Sequence, residues 1–346
     1  VPGTGKLEQL VAGGGVEVVD VKLDPQAVAQ AYTRAVAVAA SAPSIHNSQP
    51  WRWRLRAGVC ELLAQRDRQL GVTDPDGRLL LLSCGAALHH ARLALVAEGW
   101  RFDVDRQPEP DDADLLARIR LHGQSVPNAA AVRLSHAVHL RHTDRRPVTA
   151  ARAGDAALAA IGTAAEAEGA WLHLLRWDQV VELAAAACYA QQTERAETEW
   201  ISELAYWTGG TRPTGAGIPD TAIPAQPTQT TVPCRDFGHP GILPVSSDHD
   251  RAATFALLYG DEDNPRAWLP AGEALSAAWL TACQLNVSVV PLSAPIEVTP
   301  TREALRRLLA GAGYPYLVLR LGIADTDLPS PEPTPRLPAS EILETE

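Results

Sequence analysis

Ser44, His46, Asn47, Ser48 and Gln49 stand within six residues of one another, in the stretch Ala42-Pro43-Ser44-Ile45-His46-Asn47-Ser48-Gln49-Pro50-Trp51. Hydroxyls, an imidazole and two amides in so short a span can hydrogen-bond a polar heterocycle. Pro43 and Pro50 restrict the backbone at either end. An ordinary helix-to-strand connection is the bland alternative. Further on stands Arg141-x-Thr143-x-Arg145. Alternate residues of an extended segment point the same way, so two guanidiniums and a hydroxyl can converge on an anion. A phosphate dianion suits them, because arginine grips it bidentately; a solvated basic loop is again the alternative. Near the end, Thr334-Pro335-Arg336-Leu337-Pro338 sets one arginine in a tail that from Asp325 on is rich in Pro and Glu. It needs an anion partner or is simply exposed. Arg320 is a weaker candidate that can equally pair structurally. A fourth stretch, Val290-Pro291-Leu292-Ser293-Ala294-Pro295-Ile296-Glu297, has backbone donors to offer but no distinctive side chains.

The elements that must position these residues are partly legible. Asp24 as N-cap and Pro25 at the first helical position start a helix that runs to about Ala40. Trp51-Arg52-Trp53-Arg54-Leu55-Arg56 alternates apolar and basic, the period of a strand with one buried face, and Val59 to Leu63 reads as its hairpin partner. Asp74-Pro75-Asp76-Gly77 is a turn. A long helix is expected over about Leu79 to Glu98, a strand through Trp100, Phe102 and Val104, and a helix from about Asn128 to Leu140. Residues 154–168 read as a helix, Trp171 to Leu175 as a strand and 178–207 as helical. From Thr208 to Pro244 the chain is rich in Gly, Pro and Thr and has little periodicity; loops of that length are usually functional or disordered. Strand, helix and strand follow at Thr254 to Tyr259, about Trp268 to Gln284, and Val287 to Val290. A helix at Thr301 to Leu309 and a strand through Tyr316, Val318 and Arg320 complete the expected order.

The chain repeats itself. Leu82-x-x-Gly85-x-Ala87-Leu88-x-x-Ala91-x-Leu93 recurs as Leu269-x-x-Gly272-x-Ala274-Leu275-x-x-Ala278-x-Leu280, six residues matching at a constant offset of 187. The small residues would let two such helices approach closely. The copies are unequal: Pro25 to Gly85 is 60 residues and Gly154 to Gly272 is 118, which leaves 58 extra in the second. A duplicated unit with an insertion explains this. The expected organisation is a lead-in over 1–22, one half over 23–135, and a second over 136–346 that carries an insertion at about 190–247 and a tail at 325–346.

Composition narrows the function classes. With 346 residues, 46% apolar and 21% charged, the chain is an ordinary globular protein. A net charge of −11 argues against nucleic acid as the main partner. Five cysteines, none in a Cys-x-x-Cys pair, suggest a reduced, cytoplasmic protein. No run of ~18 uncharged apolar residues predicts a membrane span, and the N-terminus lacks the pattern of a secretory signal. His136, His139 and His142 are spaced for a metal, as are neighbours His89 and His90, but no Cys or carboxylate completes a recognisable set, so no metal is expected.

The first loop closely resembles the Pro-Ser-x-x-Asn-x-Gln-Pro-Trp loop of FMN-dependent nitroreductases, over six defined positions. Arg141-x-Thr143-x-Arg145 resembles that family's Arg-x-Ser-x-Arg motif, with Thr for Ser. The whole pattern, from about residue 25 to 338, resembles the Acg-type proteins, read as a nitroreductase dimer fused into one chain; a Trp-Thr-Gly segment stands at Trp207-Thr208-Gly209. The resemblance implies an α+β nitroreductase-like fold of two tandem halves, with FMN as cofactor. Arg141, Thr143 and Arg336 would hold the FMN phosphate, with Thr334 standing where many members have a second basic residue. Arg145 would lie near the N1–C2=O edge and favour the reduced, anionic ring. Ser44, Asn47 and Gln49 would contact ring or ribityl groups, and a backbone N–H near Ser293 would meet N5. Only one complete site can be assembled: Val19-Asp20-Val21-Lys22 stands where the first half would need its arginines, and the second half has no Pro-Ser-x-x-Asn loop. The implied reaction is hydride transfer from NAD(P)H to the flavin and on to a nitro or quinone compound. One FMN per chain is expected in a monomeric pseudo-dimer or weak dimer. The insertion, with Trp200, Tyr206, Trp207 and Pro213, would lie over the flavin as a lid, or its aromatics are ordinary core. A closed lid would instead make the protein a flavin-sequestering or redox-sensing one.

Overall fold

Asp24 accepts a hydrogen bond from the Gln26 N–H and starts helix α1, Pro25–Ala39, the N-cap that the sequence predicts. The computed structural model describes residues 23–148, 151–208, 214–246, 249–324 and 331–346. The expected lead-in, Gly209 and Pro213 lie outside the described residues. After α1 come β1 (Trp51–Arg56), β2 (Val59–Ala64), α2 (Arg78–Ala97), β3 (Trp100–Arg106) and β4 (Leu115–Gln124). Helices α3 (Ala129–Leu140) and α4 (Asp155–Glu166), strand β5 (Trp171–Leu174), and helices α5 (Trp177–Ala196) and α6 (Thr198–Thr208) follow. The chain then runs through β6 (Thr254–Gly260), α7 (Pro265–Gln284), β7 (Ser288–Leu292), α8 (Ala294–Glu297), α9 (Thr299–Leu308), β8 (Tyr314–Gly322), α10 (Ala339–Ile342) and β9 (Leu343–Thr345).

The strands form two sheets of the same plan. The first runs β3-β4-β2-β1 and the second β7-β8-β6-β5, and all these pairs are antiparallel. Strand β9, from the far end of the chain, adds to β1 in parallel. In β1 the alternation does what period two requires: Trp51, Trp53 and Leu55 are buried, while their arginine neighbours face outward. Two strands go beyond the sequence reading. The first is β4, although Ala117, Ile119 and Leu121 alternate there with Arg118, Arg120 and His122. The second is the three-residue β9, too short to show a period.

Helices α2 and α7 carry the repeated motif and pack against each other between the sheets. A Cβ on Gly85 would stand 2.0 Å from the Leu269 carbonyl oxygen, and a Cβ on Gly272 would stand 2.0 Å from that of Leu82. These two contacts are images of each other under the offset of 187. Such reciprocity is the mark of an isologous, two-fold interface, here inside one chain. His89 meets its own counterpart across the same axis, with Nδ1 2.9 Å from the Ser276 hydroxyl. Helix α2 is long and apolar enough to cross a membrane by length and composition, but 89% of the qualifying window is buried inside the protein. An all-round apolar helix of this kind is a core element.

The halves differ where β1 and β2 are joined. That turn is Ala57-Gly58, both with positive φ of 49° and 75°, as a tight two-residue hairpin requires. The corresponding strands β5 and β6 are separated by residues 175–253, which hold α5, α6 and the irregular stretch.

Candidate functional site

The loop before β1 is held in an unusual shape. His46, Asn47 and Gln49 have φ of 46°, 55° and 51°, a left-handed conformation that costs residues other than glycine energy unless their surroundings hold them in it. The surroundings do so. The Ser44 hydroxyl oxygen accepts the Gln49 N–H at 2.9 Å, and the Ile45 N–H donates to Ser83 Oγ on α2 at 3.1 Å. The Asn47 amide donates to the carbonyls of Gly217 and Pro335, both at 2.9 Å. The Gln49 amide donates to the Gly215 carbonyl at 2.8 Å and accepts the Leu337 N–H at 2.9 Å. Two side-chain amides thus rivet together the first loop, the insertion and the C-terminal tail, and so place Arg336.

The segment after α3 also behaves as its alternation suggests. Arg141, Thr143 and Arg145 face one cavity. Asp144 and Arg146 turn inward and pair with each other at 2.8 Å. Arg320 is the brace beneath them: buried in β8, it donates to the backbone carbonyls of Asp144 and Arg146 at 3.0 and 2.6 Å and lies 3.4 Å from Asp250 Oδ2. Its role in the structure is mechanical.

That cavity measures about 600 Å³ and draws on both halves of the chain. Ser44, Asn47, Arg141, Thr143, Arg145, Ser293 and Arg336 all line it. Gln49 does not: it is fully buried behind the loop, with its amide engaged by backbone groups. Leu275 and Trp279 of α7 supply an apolar floor, and the irregular stretch supplies the opposite wall through Ile223, Pro227 and Phe237. Of the insertion's aromatics named from the sequence, Trp207 is packed in a small core with Leu70 and Ala216, and Trp200 lies against Ala190, Ala294 and Val298. Tyr206 is 42% exposed. None of the three lines the cavity.

Charge is the cavity's clearest property. Among the described residues Arg141, Arg145 and Arg336 have no carboxylate partner. Arg141 is buried over the Trp279 ring, 4.7 Å from its centroid, and has the Ser41 carbonyl at 3.2 Å. Burial and the neighbouring Arg336 pull its pKa down to about 9. Burial also lowers Arg145 and Arg336 to about 10, so all three stay charged at neutral pH. Arg145 donates to the Ala222 carbonyl at 3.1 Å and lies over Phe237. The Nε atoms of Arg141 and Arg336 and the Oδ1 of Asn47 are buried with no hydrogen-bond partner among the described residues. Buried cations without counter-ions and buried polar atoms without partners are costly, and a bound anion with polar edges would satisfy both. His46, also in the cavity wall, is held well below the usual histidine range by burial and by Arg235 and Arg145, and is therefore neutral.

Sequence reasoning missed Arg235 and Phe237, which lie in the stretch without periodicity, and Trp279 and Ser83, which the repeated helices carry beside matched positions. Among the described residues no group of three His, Cys, Asp or Glu is arranged to hold a metal.

No family model matches the sequence. The chain is 37% identical over 321 residues to "Putative NAD(P)H nitroreductase Rv3131" of Mycobacterium tuberculosis, covering 91% of this chain and 92% of that protein. It is 32% identical over 317 residues to "Putative NAD(P)H nitroreductase acg" of the same organism, covering 89% and 94%. Among solved structures, the FMN and NADPH-dependent nitroreductase NfnB from sphigopyxis sp. strain HMH aligns with 62% of this chain and 98% of its own, at 15% identity and a TM-score of 0.40, a likeness too slight to bear on the fold.

Proposed function

Because the chain belongs to the nitroreductase family of these mycobacterial proteins, we propose that it binds one FMN in the cavity between its halves and uses it as an NAD(P)H-dependent reductase of small nitro or quinone compounds. One observation carries the reading: three guanidiniums without carboxylates among the described residues, from the second half and the tail, face the same cavity as the strained Ser44–Asn47 loop of the first half. In this reading Arg141, Thr143 and Arg336 hold the phosphate. Their unpaired charge and the unpartnered Nε atoms of the two arginines fit a dianion. Ser44 and Asn47 offer a hydroxyl and a free amide oxygen to the polar parts of the cofactor. Arg145 lends positive potential to the ring, and the Ser293 segment lies along the wall. Gln49 acts at one remove, by fixing the loop and the tail. The flavin, when bound, supplies the hydride chemistry, while the protein supplies orientation and electrostatics. Both halves needed for the site come from one chain, so a monomer suffices.

A second reading has its own support. The cavity's outer wall is fastened to the body by the Asn47–Gly217, Gln49–Gly215 and Arg145–Ala222 hydrogen bonds. A wall so pinned would suit a protein that sequesters its flavin. Anaerobic mixing of the yellow protein with NADH and with NADPH separates the two. Bleaching by either donor supports the reductase. Flavin that stays oxidised with both, yet bleaches with dithionite, supports sequestration. A purified protein that is colourless and takes up no FMN defeats both.

A further inference from the structure

Behind Ser293, in the cavity wall, one guanidinium lies between two carboxylates. Arg235, from the insertion, donates to Glu194 Oε2 on α5 at 3.0 Å, to Glu297 Oε1 on α8, and to the Ser293 hydroxyl at 3.3 Å. The Glu297 side chain is fully buried and that of Glu194 nearly so. The oxygens that Arg235 does not reach, Glu194 Oε1 and Glu297 Oε2, are both buried without a hydrogen-bond partner among the described residues. Two carboxylates against one guanidinium leave a net negative charge, which burial makes costly. A single proton resolves both difficulties. Placed on Glu194, it turns the spare oxygen of one carboxyl into a donor for the spare oxygen of the other and leaves the cluster neutral. Two carboxyls this close cannot both ionise freely, and the Glu194 carboxyl is pushed up to about 8, first by burial and then by Glu297 against the pull of Arg235.

We infer that Glu194 and Glu297 form one shared proton-binding site, and that its occupancy is linked to the charge of the flavin bound in the cavity. The second half of this inference rests on the FMN reading. With FMN bound, its reduction by a hydride, or by two electrons from dithionite and a proton from water, would leave the ring with one more negative charge. The carboxyl pair, when ionised, then takes one proton from solvent, and the charge of the region is restored. At an effective dielectric of about 20, a new charge at a separation of about 10 Å would raise a carboxyl's proton affinity by about one pH unit. By linkage, the proton favours the reduced ring to the same extent. Other groups face the cluster and must be separated from it. Arg195 on α5 pulls on Glu194. Asp74 is raised to about 7, chiefly by burial and in part by Glu297. His46 and Arg145 face Arg235 from the cavity. Arg302 of α9 holds the Ile296 carbonyl. From the strands beneath, Phe255, Leu257 and Val318 pack in one apolar cluster with Ile296, and Arg320 of β8, paired with Asp250, reaches Cys234 beside Arg235.

Infrared spectroscopy of the protein without flavin tests the shared proton. A protonated carboxyl band should persist at neutral pH, ionise near pH 8, and vanish in both Glu194→Gln and Glu297→Gln, whereas the Asp74 band near pH 7 remains. The midpoint potential of the FMN-loaded protein tests the linkage. Between about pH 8 and 9 the wild type should show a steeper pH dependence than Glu194→Gln. A missing band, or one that survives both substitutions, overturns the shared site. A band that behaves as described, with identical potential slopes in wild type and variant, overturns the linkage. A protein that retains no FMN removes the linkage along with the cofactor reading, and the infrared band still reports on the pair.

Discussion

The cavity and its pseudo-symmetric counterpart began from the same plan and differ in what neutralises their arginines. Trp279 lies beneath Arg141 at the cavity. Its equivalent in the other copy, 187 residues earlier, is Arg92, which bonds Glu168 at 2.6 Å and also Glu273. Ser293 faces the cavity; its equivalent is Arg106, which holds both oxygens of Glu273 at 2.6 and 2.9 Å. The eleven-residue loop over 40–50 has a four-residue equivalent, 167–170, that brings Glu168 in. On one side Arg141, Arg145 and Arg336 have no carboxylate partner among the described residues and a space before them; on the other a fully buried carboxylate, Glu273, completes the charge. A fused pair of halves can diverge in this way because a change in one site is not repeated in the other, as it would be in a homodimer. An open anion site and a closed structural one then differ chiefly in whether the chain supplies its own carboxylates.

The strongest way to break this comparison is at Glu273. If it is the counter-ion that closes the second site, Glu273→Gln leaves Arg106 without a carboxylate and Arg92 with only that of Glu168. The expected loss is about 3 kcal/mol of unfolding free energy, the lower end for buried pairs robbed of one member because Arg106 is partly exposed, read from the urea midpoint. A loss under ~1 kcal/mol would mean that the network is decoration. Next are the helix crossings. Gly85→Ala and Gly272→Ala each drive a methyl into a facing carbonyl, and each should cost about 3 kcal/mol, the upper end of overpacking effects. The informative result is their equality, and a gap above ~1 kcal/mol between them would deny that the crossing is two-fold. At the open site Arg141→Ala or Arg336→Ala should weaken FMN retention by about 1.5–3 kcal/mol, roughly tenfold to hundredfold in dissociation constant, while Arg92→Ala leaves it unchanged. Unaltered flavin affinity in both cavity variants would remove the phosphate assignment.

The open site was the more legible of the two, for a physical reason. Its residues come in short runs, 44–49 and 141–145, whose spacing is fixed by the backbone, so type and spacing together carry the pattern. The closed site is assembled from Arg92, Arg106, Glu168 and Glu273, single residues on three elements and a loop, and nothing local distinguishes them from surface charges. The repeat in α2 and α7 was readable because close packing demands glycine at one position of each helix. Strand β4 was readable in principle from its alternation, whereas β9 forms only because the tail docks beside β1. Gln49 shows the limit of motif reasoning. The residue is where the pattern puts it, but its amide holds backbone groups at 215 and 337 and not the cavity. Arg235 and Phe237 lie where the chain has no period, and their place depends on ion pairs and packing across more than 40 residues.

The smallest expected effect concerns the axis between the sites, where His89 meets Ser276. Burial lowers the His89 pKa to about 4, against a partial upward pull from Glu168. The unfolded chain binds this proton near pH 6.5 and the folded chain only near pH 4. Above pH 6.5 neither state is protonated and there is no penalty. As pH falls through that window the unfolded state alone takes up the proton, so stability is lost. The loss from this one group between pH 7 and 5 is on the order of 1–2 kcal/mol. His89→Gln keeps an acceptor for the Ser276 hydroxyl and has no proton to gain. It should therefore lose less stability than the wild type between these two pH values, while the contributions of His46 and His90, both held well below the usual range by burial, persist. Urea midpoints of the two proteins at pH 7 and 5 measure the difference. Identical losses would show that His89 is solvated or protonated in the folded state, and the dry, tightly packed axis on which the two halves are compared would have to be abandoned.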